Sequence, residues 1–138
     1  MSLLSITPRE YQQKIFETAK NHNTLVVLPT GLGKTLIALL LAIDRLKSFP
    51  LKKILFLAPT KPLVEQHFEY FKKYLPELFA ELNLFTGKIN SEKRKKLWDY
   101  SEIIFSTPQC ISNDLKNNLY NLENVTLLIE DECHRCLK

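Results

Sequence analysis

Short apolar runs recur along the chain at 25–28, 53–58, 82–86, 103–106 and 125–129, bounded by turn formers such as Pro29, Pro59 and Gly87. Runs of this length, rich in Val, Ile, Leu and Phe, read as buried strands. Between them the period lengthens. Residues 34–47 make a strongly apolar stretch of helical length, suited to lying between a sheet and other elements, and 63–74 carries Val64, Phe68 and Phe71 on one helix face. Asn90 and Ser91 can cap a helix running to Tyr100, and Thr107, Pro108 and Gln109 open a short one. Ahead of all these, Thr7, Pro8 and Glu10 make a capping box with proline in the first turn. Tyr11, Ile15, Phe16 and Ala19 supply that helix with an apolar stripe, and the Asn-His-Asn of 21–23 ends it. Strands alternating with helices at this spacing predict an α/β fold with a mainly parallel sheet.

In such a sheet ligands collect at the carboxyl ends of the strands, and the unusual residues sit there. After the first strand, Pro29, Thr30, Gly31 and Gly33 form a glycine-bearing turn, and Lys34 and Thr35 open the next helix. Glycines let the backbone curl so that successive N–H groups point inward, and the following helix presents its positive end. Lys34 adds a charge suited to β- and γ-phosphates, and the Thr35 hydroxyl can ligate Mg²⁺. The strict G-x-x-x-x-G-K-[ST] pattern is not met, because Leu28 holds its first position, but both glycines remain inside the turn. After the last strand come Asp131 and Glu132. A carboxylate there, opposite a phosphate loop, can hold the metal, and its neighbour can orient or deprotonate a water. Gln12, on the first helix, reads either as an exposed glutamine or as an amide able to pair with the N6 and N7 edge of adenine.

Composition narrows the setting more than the chemistry. The 138 residues are one domain by size, and the net charge of +4 permits a polyanionic partner without demanding one. No apolar run is long enough to span a bilayer and no signal-peptide order opens the chain, so no membrane association and a cytoplasmic location are expected. Three cysteines leave an odd one if paired, which argues against a secreted disulfide framework. Cys133 and Cys136 form C-x-x-C, but Cys110, His22 and His67 are scattered singly, so a second ligand pair is lacking. The basic run Lys93, Arg94, Lys95 and Lys96 reads as a solvated helix face, with Leu97 and Trp98 on its buried side.

In chain order, REYQ at 9–12, LPTGLGKT at 28–35, APTKPL at 58–63, TGK at 86–88, TPQ at 107–109 and DECH at 131–134 resemble the motifs of superfamily 2 DExD/H-box helicases. They look like the adenine-recognising Q motif and motifs I, Ia, Ib, Ic and II of the first RecA-like domain, and they cover essentially the whole chain. Within the superfamily the spelling is most like the branch of archaeal Hef and the Fanconi anaemia group M helicases. The resemblance implies a RecA-like P-loop NTPase domain with helices on both faces of its sheet, binding ATP and Mg²⁺. Arg9 and Gln12 would meet the base, and Pro29, Thr30, Gly31, Leu32, Gly33, Lys34 and Thr35 the phosphates. Thr35 and Asp131 would hold Mg²⁺, Lys34, Asp131 and Glu132 would serve hydrolysis, and His134, the last of the catalytic set, would relay nucleotide state to a second motor domain. Thr60, Lys61, Thr86, Gly87 and Thr107 would meet a nucleic-acid backbone, with DNA the expected partner in fork processing or repair. Two departures stand out: Cys133 gives the DECH spelling of the neighbouring RIG-I and Dicer group, and Lys88 replaces the glutamate of a common TGE.

The chain stops four residues after His134, so the resemblance implies an amino-terminal fragment, residues 1–138, ending after motif II. Motifs III to VI, with the arginine finger of the second RecA-like domain, lie outside it. An isolated piece of this kind is expected to bind nucleotide weakly and hydrolyse it negligibly, since an arginine finger alone is worth about 10³ to 10⁵ in rate. Two alternatives to a DNA motor stay open: the same half of an RNA-directed ATPase, and a non-motor module gated by nucleotide.

Overall fold

The computed structural model describes residues 24–28, 34–75 and 80–131, with backbone alone for 24–28 and Lys34. The expected helix at 8–20 lies outside the described residues, as do the turn at 29–33 and everything after Asp131. Nine elements follow one another: β1 (Thr24–Leu28), α1 (Lys34–Ser48), β2 (Lys53–Leu57), α2 (Lys61–Tyr74), β3 (Leu82–Phe85), α3 (Ser91–Tyr100), β4 (Ile103–Ser106), α4 (Pro108–Lys116) and β5 (Val125–Asp131). The strands form one sheet in the order β1-β5-β2-β4-β3, and every neighbouring pair runs parallel. The last strand is thus inserted between the first two.

Successive strand residues point to opposite faces, and both faces are apolar because both are covered. Ile54, Phe56, Phe105 and Ile129 meet Ala38 and Ala42 of α1 and Val64 and Phe71 of α2. On the other side, Leu55, Leu57, Ile104 and Leu128 meet Trp98 of α3 and Ile111 of α4. Helices therefore cover both faces of a parallel sheet, as the motifs implied. The expectation for α1 needs correcting in part. Leu36, Ile37 and Leu40 are 48, 46 and 57% exposed, so among the described residues this helix is covered on one stripe only.

Two boundaries move, each for a local reason. The helix expected at 63–74 starts earlier: Thr60 is extended at φ −138° and ψ 157°, and α2 begins at Lys61 with Pro62 in its first turn. Proline costs nothing there, because first-turn amides have no partner inside the helix. β5 continues through Asp131, whose register partner is Leu28, the last residue of β1. The carboxylate is consequently presented from a strand end, beside the point where the chain leaves β1.

The basic run on α3 is also not a uniform solvated face. Lys93, Lys95 and Lys96 are exposed, but Arg94 turns inward. Its Nε and Nη2 donate to Asp114 at 2.8 and 2.7 Å, a bidentate fork onto a carboxylate that is 1% exposed. Tyr120 OH donates to the same carboxylate at 2.6 Å. Burial, then the bond to Asp114, pushes the Tyr120 hydroxyl pKa up, and the Asp114 hydrogen bond raises that of Arg94.

Candidate functional site

The carboxyl edge of the sheet divides into two stretches by strand order. On β1 and β5 sit the nucleotide candidates; on β2, β4 and β3, three consecutive neighbours, sit the nucleic-acid candidates.

In the first stretch, Thr35 lies in the opening turn of α1 and Asp131 at the end of β5. The side chain that joins them is His67 of α2. Its Nε2 is 2.6 Å from Asp131 Oδ2, and its Nδ1 is 3.3 Å from Thr35 Oγ1. An ionised carboxylate only accepts, so Nε2 faces it with its hydrogen; with the ring neutral, Nδ1 is left to accept from the Thr35 hydroxyl. His67 is 8% exposed and its ring lies on Phe56, centroids 4.5 Å apart. The hydroxyl and carboxylate are hard oxygen donors, the set Mg²⁺ takes, and Mg²⁺ keeps several waters besides a few protein ligands. The donors present therefore fit that ion. Among the described residues no group of three or more His, Cys, Asp or Glu forms a metal cluster of its own.

Sequence reasoning treated His67 only as a stray metal-ligand candidate. The signal that could have found it is its place on the inward stripe of α2, where Leu63, Val64, His67 and Phe71 are the buried residues. A polar residue on an apolar stripe needs a partner when buried.

In the second stretch, Thr60 Oγ1 is shut off from solvent with no hydrogen-bond partner among the described residues, and as the residue before α2 it makes no side-chain cap. Lys61 lies beside Lys88 of the neighbouring turn, and hydrogen bonding with Lys88, then desolvation and repulsion, lowers the Lys61 pKa. Thr86 Oγ1 accepts from the Lys88 amide at 3.3 Å, tightening that turn. Gly87 is exposed, and a Cβ placed there would meet nothing within 4 Å. Thr107 caps α4 by accepting from the Cys110 amide. Burial pushes the Cys110 thiol pKa up, so it is no ready thiolate.

Of the remaining candidates, Arg9, Gln12, Pro29, Thr30, Gly31, Leu32, Gly33, Glu132, Cys133, His134 and Cys136 lie outside the described residues, and so does the Lys34 side chain. No helix among the described residues is long and apolar enough to cross a membrane.

A parallel sheet with helices on both faces, and a hydroxyl and a carboxylate bonded to one histidine at its carboxyl edge, defines a RecA-like α/β domain. Comparison with known proteins takes the assignment further. A family model described as DEAD/DEAH box helicase matches residues 9–138. An "ATP-dependent DNA helicase MPH1" of Scheffersomyces stipitis is 39% identical over 127 residues, which are 92% of this chain and 12% of that protein. The "Fanconi anemia group M protein homolog" of Mus musculus is 39% identical over 94% of this chain and 6% of its own length. Among solved structures, the Hef helicase domain of Pyrococcus furiosus matches with a TM-score of 0.69 and 46% identity, over 95% of this chain and 28% of that one. This chain belongs to the DEAD/DEAH box helicase family. The resemblance to its Hef and Fanconi anaemia group M branch is borne out by these relatives.

Proposed function

We propose that the chain is the ATP-binding half of an ATP-dependent DNA helicase or translocase that acts on forked or branched DNA in repair or fork processing, paired with a second RecA-like domain. The observation that carries this is that Thr35 and Asp131 share one partner, His67, at the β1 and β5 edge. Residues 29–33 cradle the phosphates with their amides, Lys34 grips the β/γ end, and Arg9 and Gln12 read adenine. Thr35 and Asp131 hold Mg²⁺, Glu132 orients the attacking water, and His134 passes nucleotide state to the second domain. When bound, Mg²⁺ neutralises charge that develops between the β- and γ-phosphates. Neither ATP nor metal needs covalent help from the protein, so these roles are positional and electrostatic.

Along β2, β4 and β3 the nucleic-acid backbone meets Thr60, Lys61, Thr107, Thr86 and Gly87, with Lys88 added. Lys88 beside it lowers the pKa of the Lys61 amine, and a phosphate between the two relieves their repulsion. Gly87 leaves its backbone open, as a close-approaching phosphate requires. DNA is favoured because such relatives as the Scheffersomyces stipitis protein are named ATP-dependent DNA helicases. The DECH spelling at Cys133 favours a second reading, an RNA-directed ATPase half. An odd cysteine count fits a reducing, cytoplasmic setting.

The test has two arms. Fluorescent ADP titrated into the chain is expected to bind with Mg²⁺ and to lose affinity in K34A; no binding at saturation overturns the nucleotide reading. In a protein that joins this domain to a second RecA-like domain, forked DNA is expected to stimulate ATP hydrolysis more than double-stranded RNA does. The reverse order selects the RNA reading, and stimulation by neither leaves the gated module. Helicase-like ATP turnover by the 138 residues alone would refute the need for a second domain.

A further inference from the structure

Three elements far apart in sequence meet at His67: the bond to Thr35 spans 32 residues and that to Asp131 spans 64. We propose that His67 is a positioning residue of the magnesium-nucleotide site, setting the rotor of the Thr35 hydroxyl and the orientation of the Asp131 carboxylate. This rests on the reading that Thr35 and Asp131 serve the Mg²⁺ of a bound nucleotide.

A hydroxyl that ligates a cation offers a lone pair and must send its hydrogen elsewhere. Nδ1 of His67 stands 3.3 Å from that hydroxyl, and in the neutral ring it is the acceptor that leaves the oxygen lone pairs of Thr35 for the ion. On the other side, Nε2 takes up Oδ2 of Asp131 and stops the carboxylate from rotating freely. The ring itself is held. It is 8% exposed, lies 4.5 Å from the Phe56 ring at 31°, and comes from the same stripe of α2 as buried Val64 and Phe71. A side chain gripped on both ring nitrogens and one face is built to stay while ligands come and go. It also joins the two stretches of the edge, because α2 begins with Lys61 and carries His67 six residues later.

Outer partners of metal ligands typically cost about 10- to 100-fold in metal affinity when removed. The test compares Kd of the chain for N-methylanthraniloyl-ADP with Mg²⁺ and with EDTA, for wild type, H67L, H67Q and K34A. H67L, of similar volume, is expected to lower the Mg²⁺-dependent gain in affinity about 10-fold or more while leaving the EDTA value near wild type. H67Q keeps an amide donor where Nε2 stands and is expected to recover much of the gain, a rescue that simple packing would not produce. Should H67L not fold, H67N replaces it, since its shorter amide does not reach Asp131 and predicts the same loss. An unchanged Mg²⁺ dependence in H67L or H67N, with K34A binding impaired, overturns the role of His67 alone. Equal loss with and without Mg²⁺ also overturns it, making the residue structural. Wild-type binding in K34A would instead overturn the nucleotide reading beneath it.

Discussion

Arg94→Met cuts a bidentate ion pair while keeping much of the aliphatic stem. Its consequence follows from which partner is left behind. Asp114 is 1% exposed on its side chain, against 11% for Arg94, so the carboxylate remains buried with only the 2.6 Å bond from Tyr120 OH. Removing one partner of a buried pair costs about 3–5 kcal/mol, whereas an exposed pair is worth ~0–1 kcal/mol. The surviving tyrosine bond places R94M at the low end, about 3 kcal/mol. Replacing the whole cluster, as R94M/D114L/Y120F, leaves no buried charge and is expected to cost less than R94M alone, because apolar groups of like volume often substitute for a buried pair without loss. Urea unfolding at constant m-value measures both. A loss under ~1 kcal/mol for R94M, or a triple variant worse than the single, refutes the account. The same variant reports on function. Arg94 Nη1 also donates to the Ile89 carbonyl and, at 3.3 Å, to that of Thr86, so it braces the turn carrying Gly87 and Lys88. R94M is expected to weaken DNA binding while leaving Mg²⁺-nucleotide affinity unchanged.

K88A is expected to lower single-stranded DNA affinity and to reduce the slope of log K against log salt by about 1, as one lost phosphate contact does; fluorescence anisotropy at several salt concentrations reads it. The Tyr120 pKa is raised above its ordinary 10.0, so its stabilising contribution is complete below about pH 10 and is lost as pH rises beyond. Wild type should therefore lose up to ~1.4 kcal/mol more than Y120F per pH unit above that point, measured by urea unfolding. Asn90 caps α3 by accepting from the Lys93 amide at 2.8 Å, and N90A is expected to cost about 1 kcal/mol in the same assay, with N90S nearly neutral.

What the sequence discloses and what it withholds separate along one line, the range of the interaction. The strands at 53–58 and 103–106, the Asn90 and Thr107 caps and the motif residues at strand ends are all legible, because a turn former and a run of apolar residues act within a few positions. His67 and Arg94 were missed because their partners lie 64 and 20 residues away. A charge in a basic run looks solvated until Asp114 is known to face it. A histidine between Val64 and Phe71 looks like a lapse in an apolar stripe until something polar is known to lie under it. In each case the missing information is strand order. Thr35 and Asp131 can share His67 only because β5 enters the sheet between β1 and β2, a placement that no local spacing encodes. Given that order, the histidine becomes deducible: α2 follows β2, His67 of its inward stripe lies on Phe56 of β2, β5 is the strand beside β2, and the polar group at the carboxyl end of β5 is Asp131. The same insertion sets the division of the edge. It leaves β1 and β5 together for one ligand and β2, β4 and β3 together for the other, with α2 touching both.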